Sequence, residues 1–430
     1  MARPHSKYSW LYAMFKPLFW ATANGFYKKI EILGIEHIPS AGTPVIMVSN
    51  HQNGMMDPVM LCMVHPRQLH FLTRSDVFKK PLAAKFFNSL NMMPVYRERD
   101  NLPDMAERNE AIFNECSDRL AGGCTIALFP EGTHGNVKHL RPAKKGAARL
   151  ALGAVARHTQ LHNILLLPVG IDYSDFIDYR SVLRVTYGPP LRLANYIDTH
   201  AVSQNKAVID LTRDLENALR QTMVHYHPAE LYPAGRMAFQ LSNTARLVSD
   251  ETSFSRILSD KMASMQSADR MALEEELKAC KSMAKSMRLD ERAFSRNRSE
   301  WVIFTILTVF WVCRQAVRWV PYRWVERFTA RKVRDPHFIS SARLVLTMFA
   351  LPVWWLLLGT TAALILGNAW LLLLIPAGAG LVTLPGLLAD DCLQIMRQRI
   401  RWRKLRSTTE GLKLDVLRQS LTERLRRLLA

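Results

Sequence analysis

Two long apolar runs, residues 344–367 and 369–388, constrain this chain's fold more than any other feature. A bilayer core is crossed by about 20 helical residues, and each run reaches that length. Backbone in hydrocarbon must satisfy its own hydrogen bonds, so such runs can only be helices. Pro352, Pro376 and Pro385 are tolerated where neighbouring helices satisfy the freed groups. Arg327, Arg331, Lys332, Arg334 and Arg343 precede the pair. Arg397, Arg399, Arg401, Arg403, Lys404 and Arg406 follow it. Positive residues stay on the cytoplasmic side, so the sequence predicts a membrane hairpin with both ends in the cytoplasm. A buried two-helix core is the alternative. A third apolar stretch, residues 301–320, is interrupted by Arg314 and Arg318. It is expected at the membrane interface, with a full span as the lesser reading.

The length of 430 residues suggests two or three domains. Residues 8–26 read YSWLYAMFKPLFWATANGF. Arg3 and Lys7 precede this apolar part as in a signal peptide, but Lys16 and Pro17 break it. Its Trp and Tyr content favours a helix lying at a membrane interface. From residue 28 to about 190, apolar strand-like runs (44–49, 69–73, 93–96, 124–129, 164–171 and 183–187) alternate with helical stretches such as 102–121 and 144–158. Continuous apolar strands between helices indicate an α/β domain, a mostly parallel sheet flanked by helices. The amphipathic stretch 204–226 is expected to close it. Residues 228–299 are polar, Met-rich and helical in pattern, and ordinary helix packing accounts for the methionines. The expected organisation is an interfacial helix (1–27), the α/β domain (28–227), a polar helical region (228–300), a hydrophobic membrane region (301–391) and a basic C-terminal tail (392–430).

The formal net charge of +20 points to an anionic partner. No helix-turn-helix, RNA-recognition or zinc-finger signature is present, so nucleic acid is not expected among the partners. The six cysteines, at 62, 116, 124, 280, 313 and 392, form no C-x-x-C pair. Their spacing indicates neither a zinc site nor a disulfide framework, and fits a reducing compartment.

Chemistry-bearing residues gather at strand ends. His51 follows the strand 44–49, and Asp57 stands six positions on, at the start of a helix. Ligands in α/β sheets sit at the carboxyl ends of strands. If the loop folds back at Gly54, the carboxylate can accept the imidazole Nδ1–H and leave Nε2 to take a proton from an alcohol. No G-x-S-x-G elbow supplies a protein nucleophile, so the attacking group would be a substrate hydroxyl. Two loop residues without chemistry are the alternative. A second strand ends in FPEGTHG, residues 129–135. Its glycines permit close backbone approach to a ligand, and Thr133 and His134 can bond phosphate oxygens. Lys138, Arg141, Lys144 and Lys145 follow and lead into a helix start, a candidate anion site. A solvated charged loop is the alternative there. A third strand ends in PVYRER, whose Arg97 could clamp a phosphate in bidentate geometry. A fourth, LPVGI at 167–171, carries no chemistry of its own and is expected to form pocket wall.

These four blocks, in this order, resemble the glycerolipid acyltransferase family, which includes glycerol-3-phosphate and 1-acylglycerol-3-phosphate O-acyltransferases. NHQNGMMD resembles its His–Asp block, PVYRER its arginine block, FPEGTH its Phe-Pro-Glu-Gly-Thr block and LLPVGI its Pro-containing apolar block. The resemblance covers roughly residues 28–226. The commonest His–Asp block has four intervening residues, whereas five intervene here; a longer variant occurs in some branches. His134 stands where the family usually has arginine, which moves the expected phosphate contact towards Arg97, Arg141 or Lys144.

The resemblance implies a glycerol-3-phosphate acyltransferase-like fold and His51 and Asp57 as a catalytic dyad. It also implies substrate binding by Arg97, Glu131, Gly132, Thr133, His134, Arg141 and Lys144. The implied reaction is acyl transfer from acyl-CoA or acyl carrier protein to lysophosphatidate (1-acylglycerol-3-phosphate), giving phosphatidate, or alternatively to glycerol 3-phosphate or dihydroxyacetone phosphate. A non-catalytic membrane-docking scaffold is the remaining alternative. No metal or bound cofactor is expected. Membrane lipid is an expected partner, with the catalytic domain on the cytoplasmic face.

Overall fold

The computed structural model describes residues 8–97, 100, 102–294 and 299–430. Arg3, Lys7, Glu98 and Arg99 of the sequence reading lie outside them. The chain divides into two compact units. The first comprises the residues up to Asn136, Leu140–Met223 and Asp335–Ser341. The second comprises Val137–His139, Val224–Arg334 and Ala342–Ala430.

The first unit contains α1 (Trp10–Phe26), β1 (Lys29–Leu33), β2 (Val45–Ser49), α2 (Met56–Val64), β3 (Leu69–Arg74), α3 (Pro81–Ser89), β4 (Met92–Val95) and α4 (Met105–Ala121). It continues with β5 (Thr125–Leu128), α5 (Gly146–Arg157), β6 (Leu165–Tyr173), β7 (Val182–Tyr187), β8 (Leu191–Arg192), α6 (Ala194–Val202) and α7 (Gln204–Thr222). The sheet order is β1-β7-β6-β2-β5-β3-β4, with β8 also paired to β6. Every residue of β2 is buried, because it lies between β5 and β6 and the sheet is covered. This is why VIMVS is apolar at every position up to its last residue, rather than alternating. Its register runs Val45↔Thr125 to Val48↔Leu128 on one side and Val45↔Leu165 to Ser49↔Val169 on the other, parallel in both cases. β7 and β8 run antiparallel to β6. The expected mostly parallel α/β sheet is therefore present. Ile46, Val48, Ile126 and Leu166 share a core cluster with Leu120 of α4, Ala148 and Ala151 of α5, and Leu211 and Leu215 of α7.

The N-terminal helix is an integral part of this unit. Ser9 caps α1 by accepting from Tyr12 N at 3.0 Å. Tyr12, Ala23 and Phe26 are buried, and the Tyr12 hydroxyl donates to Cys62 O at 3.2 Å. Other positions of the same helix, Trp10, Met14, Leu18 and Trp20, expose large apolar side chains. Both features matter below.

The second unit contains α8 (Tyr232–Thr244), α9 (Glu251–Ser264), α10 (Ser267–Ser286), α11 (Glu300–Lys332), α12 (Ile339–Leu366, which begins in the first unit), α13 (Leu371–Leu405) and α14 (Thr409–Leu429). Met237 and Met262 are buried in one core cluster with Leu241, Phe254, Leu258, Leu273 and Leu277, so these two methionines are packing residues. The segment read as a basic tail is ordered helix. α13 runs through residues 391–392 without a break. α14 buries Leu414, Leu421 and Leu425 in the same cluster.

Three helices are long and apolar enough to cross a bilayer: Glu300–Lys332, Pro336–Leu366 and Leu371–Leu405. By length and composition the helix that holds residues 301–320 also fits a full span, alongside the interfacial expectation. That expectation rested on Arg314 and Arg318 as bare charges, but both pair with Asp390 of α13, Arg318 at 3.2 Å. Trp311 Nε1 and Gln315 Nε2 also donate to Asp390, at 2.6 and 3.1 Å. A charge paired on a neighbouring helix does not interrupt an apolar run as an unpaired one does.

A buried ionic cluster sits in the same unit. Glu251 accepts from Lys138 Nζ at 3.0 Å and from the Tyr226 hydroxyl at 3.2 Å, and pairs with Arg236. Burial alone would raise the Glu251 carboxyl, but Lys138 and Arg236 outweigh it and hold the group below its ordinary range. Its stabilising contribution is therefore present above the ordinary carboxylate range and is lost as pH falls through the depressed value. Glu251→Gln removes the carboxylate charge that Lys138 and Arg236 share and is expected to cost about 3–5 kcal/mol. Thermal unfolding in detergent checks this; an unchanged midpoint would contradict it.

Candidate active site

Strand order brings three of the four blocks together. β2, β5 and β6 are adjacent and parallel, so their carboxyl ends meet. His51 follows β2, and His51 Nδ1 lies 2.8 Å from Asp57 Oδ2. A tight turn makes this contact possible across five intervening residues. Asn53 O accepts from Met56 N at 2.8 Å. Gly54 takes φ +39°, where a Cβ would lie 2.8 Å from His337 O. A side chain there would be strained in backbone and in space together.

Asp57 is fully buried in the first turn of α2. Its Oδ2 also accepts from Gln52 N and Asn53 N, both at 2.8 Å, and its Oδ1 accepts from the Tyr173 hydroxyl at 2.7 Å. Burial, then the adjacent Asp57 charge, pushes the Tyr173 phenol well above its usual value, so it stays a donor. With four partners the carboxylate has one orientation, and the imidazole inherits it. The ring stacks on Phe129 with centroids 4.2 Å apart. Its side chain is 16% exposed, and Nε2 has no protein hydrogen bond among the described residues. No serine hydroxyl or cysteine thiol is bonded to the ring among them either. The Cys62 and Cys116 thiols are pushed up to about 12 by burial, so they remain protonated. Such an arrangement can serve as a general base towards an external hydroxyl.

The FPEGTH loop holds this base in position. Glu131, expected to bind substrate, is only 4% exposed. Its Oε1 accepts from His51 N at 2.6 Å, and its Oε2 accepts from Arg141 N at 3.2 Å and pairs with Arg141 Nε at 2.8 Å. Burial raises its carboxyl against the opposing pull of Arg141 and the His51 amide. Arg141 Nη2 donates to His51 O at 2.7 Å and to Thr133 O at 2.8 Å. Both residues therefore tie the His51 and Thr133 backbones together, a positioning role beside the substrate contact expected of them. Sequence could not reveal this, because an acidic residue in a motif gives no sign of facing inward.

Gly132, Thr133, His134 and Lys144 are the other residues near this loop that were expected to bind substrate. Gly132 has φ +69°, and a Cβ there would come within 3.0 Å of the Lys144 ammonium, so the exposed lysine lies directly across the glycine. Thr133 is exposed. The His134 ring stands 5.4 Å from that of His51 and 4.8 Å from that of His337. Burial, then the neighbouring histidines His51 and His337, holds His134 below its ordinary value, so it is neutral near pH 7. A neutral ring leaves the charge beside Gly132 to exposed Lys144. Arg97 ends β4 at the sheet edge, with its backbone N donating to Asp100 Oδ2 at 2.9 Å. β3 stands between β4 and β5, so Arg97 is roughly 10 Å across the sheet from the end of β5.

Several residues here escaped the sequence reading. β6, expected to be passive wall, contributes the Tyr173 hydroxyl. Its Ile171 N–H and C=O are clamped by Asn50, at 2.8 and 2.9 Å. The segment Asp335–Ser341 belongs to this unit: Ser340 Oγ donates to Asn53 Oδ1 at 3.1 Å, and His337 Nδ1 lies 2.7 Å from Asn136 Oδ1. No sequence signal linked these residues to a motif almost 300 positions earlier.

Comparison with known proteins finds similarity over part of the chain. Residues 29–172 match the family model described as Acyltransferase. The chain is 28% identical over 134 residues to a Brassica napus chloroplastic 1-acyl-sn-glycerol-3-phosphate acyltransferase, covering 31% of this chain and 36% of that protein. It is 30% identical over 171 residues to a Chlamydomonas reinhardtii 1-acyl-sn-glycerol-3-phosphate acyltransferase, covering 38% and 48%. It is 22% identical over 315 residues to Saccharomyces cerevisiae glycerol-3-phosphate O-acyltransferase 2, covering 49% and 42%. The chain thus spans less than half the length of each of these relatives. The crystal structure of the Thermotoga maritima 1-acyl-sn-glycerophosphate acyltransferase PlsC aligns with a TM-score of 0.35 at 18% identity, covering 48% of this chain and 79% of that one. Residues 29–172 thus match the Acyltransferase family model, and the relatives named above are 1-acylglycerol-3-phosphate and glycerol-3-phosphate acyltransferases.

Proposed function

We propose that this chain is a 1-acylglycerol-3-phosphate O-acyltransferase that forms phosphatidate from an acyl thioester of coenzyme A or acyl carrier protein. The observation that carries this reading is the His51–Asp57 dyad at the carboxyl end of β2, beside a cationic loop and with no serine or cysteine bonded to the ring among the described residues. His51 Nε2 takes the proton of the acceptor hydroxyl as that oxygen attacks the thioester carbonyl. Asp57 holds Nδ1–H and stabilises the imidazolium. Collapse of the tetrahedral intermediate breaks the C–S bond, and His51 returns its proton to the departing thiolate. No step requires a metal or a bound cofactor. Lys144 across Gly132 supplies charge for the acceptor phosphate, with Thr133 and neutral His134 as hydrogen-bonding partners and Arg97 as a more distant cation.

An acceptor that already carries one acyl chain enters from a membrane. α1 meets α3 at the Ser9–Ser89 hydrogen bond, and the two helices expose Trp10, Met14, Leu18, Trp20, Leu82 and Phe86. Such a surface suits the head-group boundary, and the three apolar helices suit an integral anchor, with the dyad working on the cytoplasmic face. The second reading, glycerol 3-phosphate or dihydroxyacetone phosphate as acceptor, is favoured by the long alignment with the yeast glycerol-3-phosphate acyltransferase. The intact dyad argues against a non-catalytic scaffold.

Supplying purified protein with each acceptor and a labelled acyl thioester tests the proposal. Lysophosphatidate is expected to give the higher kcat/KM. Lys144→Ala is expected to raise KM for it about tenfold with little change in kcat. Preference for glycerol 3-phosphate would move the assignment to the second reading. No transfer to any acceptor would leave only the scaffold.

A further inference from the structure

Outside the site just described, three histidines of the second unit converge. His139 lies in the loop between β5 and α5, and His225 and His227 lie in the segment after α7. Each can offer one ring nitrogen, and the three nitrogens lie within 4.8 Å of one another. Ring centroids are 4.6 Å apart for His139–His225, 5.8 Å for His139–His227 and 6.1 Å for His225–His227.

The surrounding hydrogen bonds hold this arrangement. His139 Nδ1 lies 2.7 Å from Tyr226 O. A carbonyl can only accept, so Nδ1 carries the proton and Nε2 presents a lone pair. This is the backbone-carbonyl bond that fixes the tautomer of metal-ligating histidines. The segment that carries the other two is pinned to α9. His225 N donates to Ser255 Oγ at 3.1 Å, and His227 N donates to Ser259 Oγ at 3.0 Å. Between them, Tyr226 N donates to Lys138 O at 2.9 Å. Tyr226 and Lys138 direct their side chains to Glu251. Neighbouring residues of the two segments serve separate purposes: 138 and 226 the buried ionic cluster, 139, 225 and 227 the imidazole cluster.

We propose that His139, His225 and His227 form a binding site for a divalent transition metal, Zn²⁺ being the expected ion. Three neutral imidazoles suit zinc and its later first-row neighbours and do not suit Mg²⁺ or Ca²⁺, which prefer oxygen ligands. Three protein ligands leave a fourth position for water. Ligands 2.0–2.1 Å from a tetrahedral zinc stand roughly 3.3 Å apart, so the rings must close by side-chain rotation. His227 is exposed and has room to do so. The ion would be a clip that fastens the 137–139 loop to the 224–228 segment. In sequence that loop links Thr133 and His134 to Arg141 and Lys144. The ion takes no part in acyl transfer, and the site stands independently of the proposed function.

Full-length, untagged protein in detergent, stripped with a chelator, is titrated with Zn²⁺ against a fluorescent indicator. Co²⁺ absorption reports the coordination geometry. The wild type is expected to bind one equivalent per chain with tetrahedral Co²⁺ bands. His139→Gln and His227→Gln are each expected to weaken Zn²⁺ binding at least tenfold, and chelator is expected to lower the thermal midpoint of the wild type but of neither variant. Because His227 is exposed, His227→Gln decides the matter if substitution at the other positions impairs folding. Wild-type affinity in His227→Gln, or no more Zn²⁺ bound by the wild type than by a variant with all three histidines replaced by glutamine, would overturn the assignment.

Discussion

His51→Ala is expected to lower turnover by about 10²–10⁴-fold while leaving the protein folded. The imidazole is partly exposed at a strand end, and the elements around it do not depend on it for their core. Its removal takes away the proton acceptor for the substrate hydroxyl and the donor to the leaving thiolate, and it exposes one face of Phe129. The scaffold contacts made by its backbone, to Glu131 Oε1 and Arg141 Nη2, survive the substitution. Acyl transfer under saturating substrate measures the loss, and a near-native thermal midpoint separates it from unfolding. A variant that kept more than roughly a tenth of wild-type turnover would remove His51 from the chemistry, since general-base catalysis is worth far more.

Asp57→Asn is expected to be nearly as damaging, for a different reason, and to reduce stability as well. The carboxylate accepts four hydrogen bonds, and its surroundings offer only donors: the His51 ring, two backbone N–H groups and the Tyr173 hydroxyl. An amide brings an NH₂ group into this donor shell. If the NH₂ faces Tyr173, the phenol loses its acceptor. If it faces His51, the ring must turn to the wrong tautomer and the two backbone N–H groups are stranded. An unsatisfied buried donor costs about 1–3 kcal/mol. Wrong-tautomer substitution in a comparable His–Asp pair costs about 10⁴ in turnover. The expected result is a loss of roughly 10²–10⁴-fold together with a lowered thermal midpoint. Full activity in Asp57→Asn would mean that the carboxylate neither orients nor stabilises the ring.

Local pattern determined a good deal of this protein by itself. Unbroken apolar strands alternating with amphipathic helices required a covered parallel sheet. The runs at 344–367 and 369–388 required helices of membrane length. His51 and Asp57 could be paired because only five residues and a glycine separate them, and a turn can be read from such a stretch. Tertiary structure alone decided which blocks meet. Order within a sheet depends on pairing between distant segments, and no residue near PVYRER indicates that its strand lies at the edge while FPEGTH and LPVGI flank the dyad. It also turned Glu131 inward, since burial belongs to the surroundings of a side chain and not to its identity. It gave Arg314 and Arg318 a partner in Asp390, some 70 positions later, so a stretch that reads as interrupted forms a helix of membrane length. The Tyr173 hydroxyl on Asp57, Ser340 on Asn53 and the convergence of His139 with His225 and His227 have the same origin. Each joins segments far apart in the chain, and periodicity and spacing report only on neighbours.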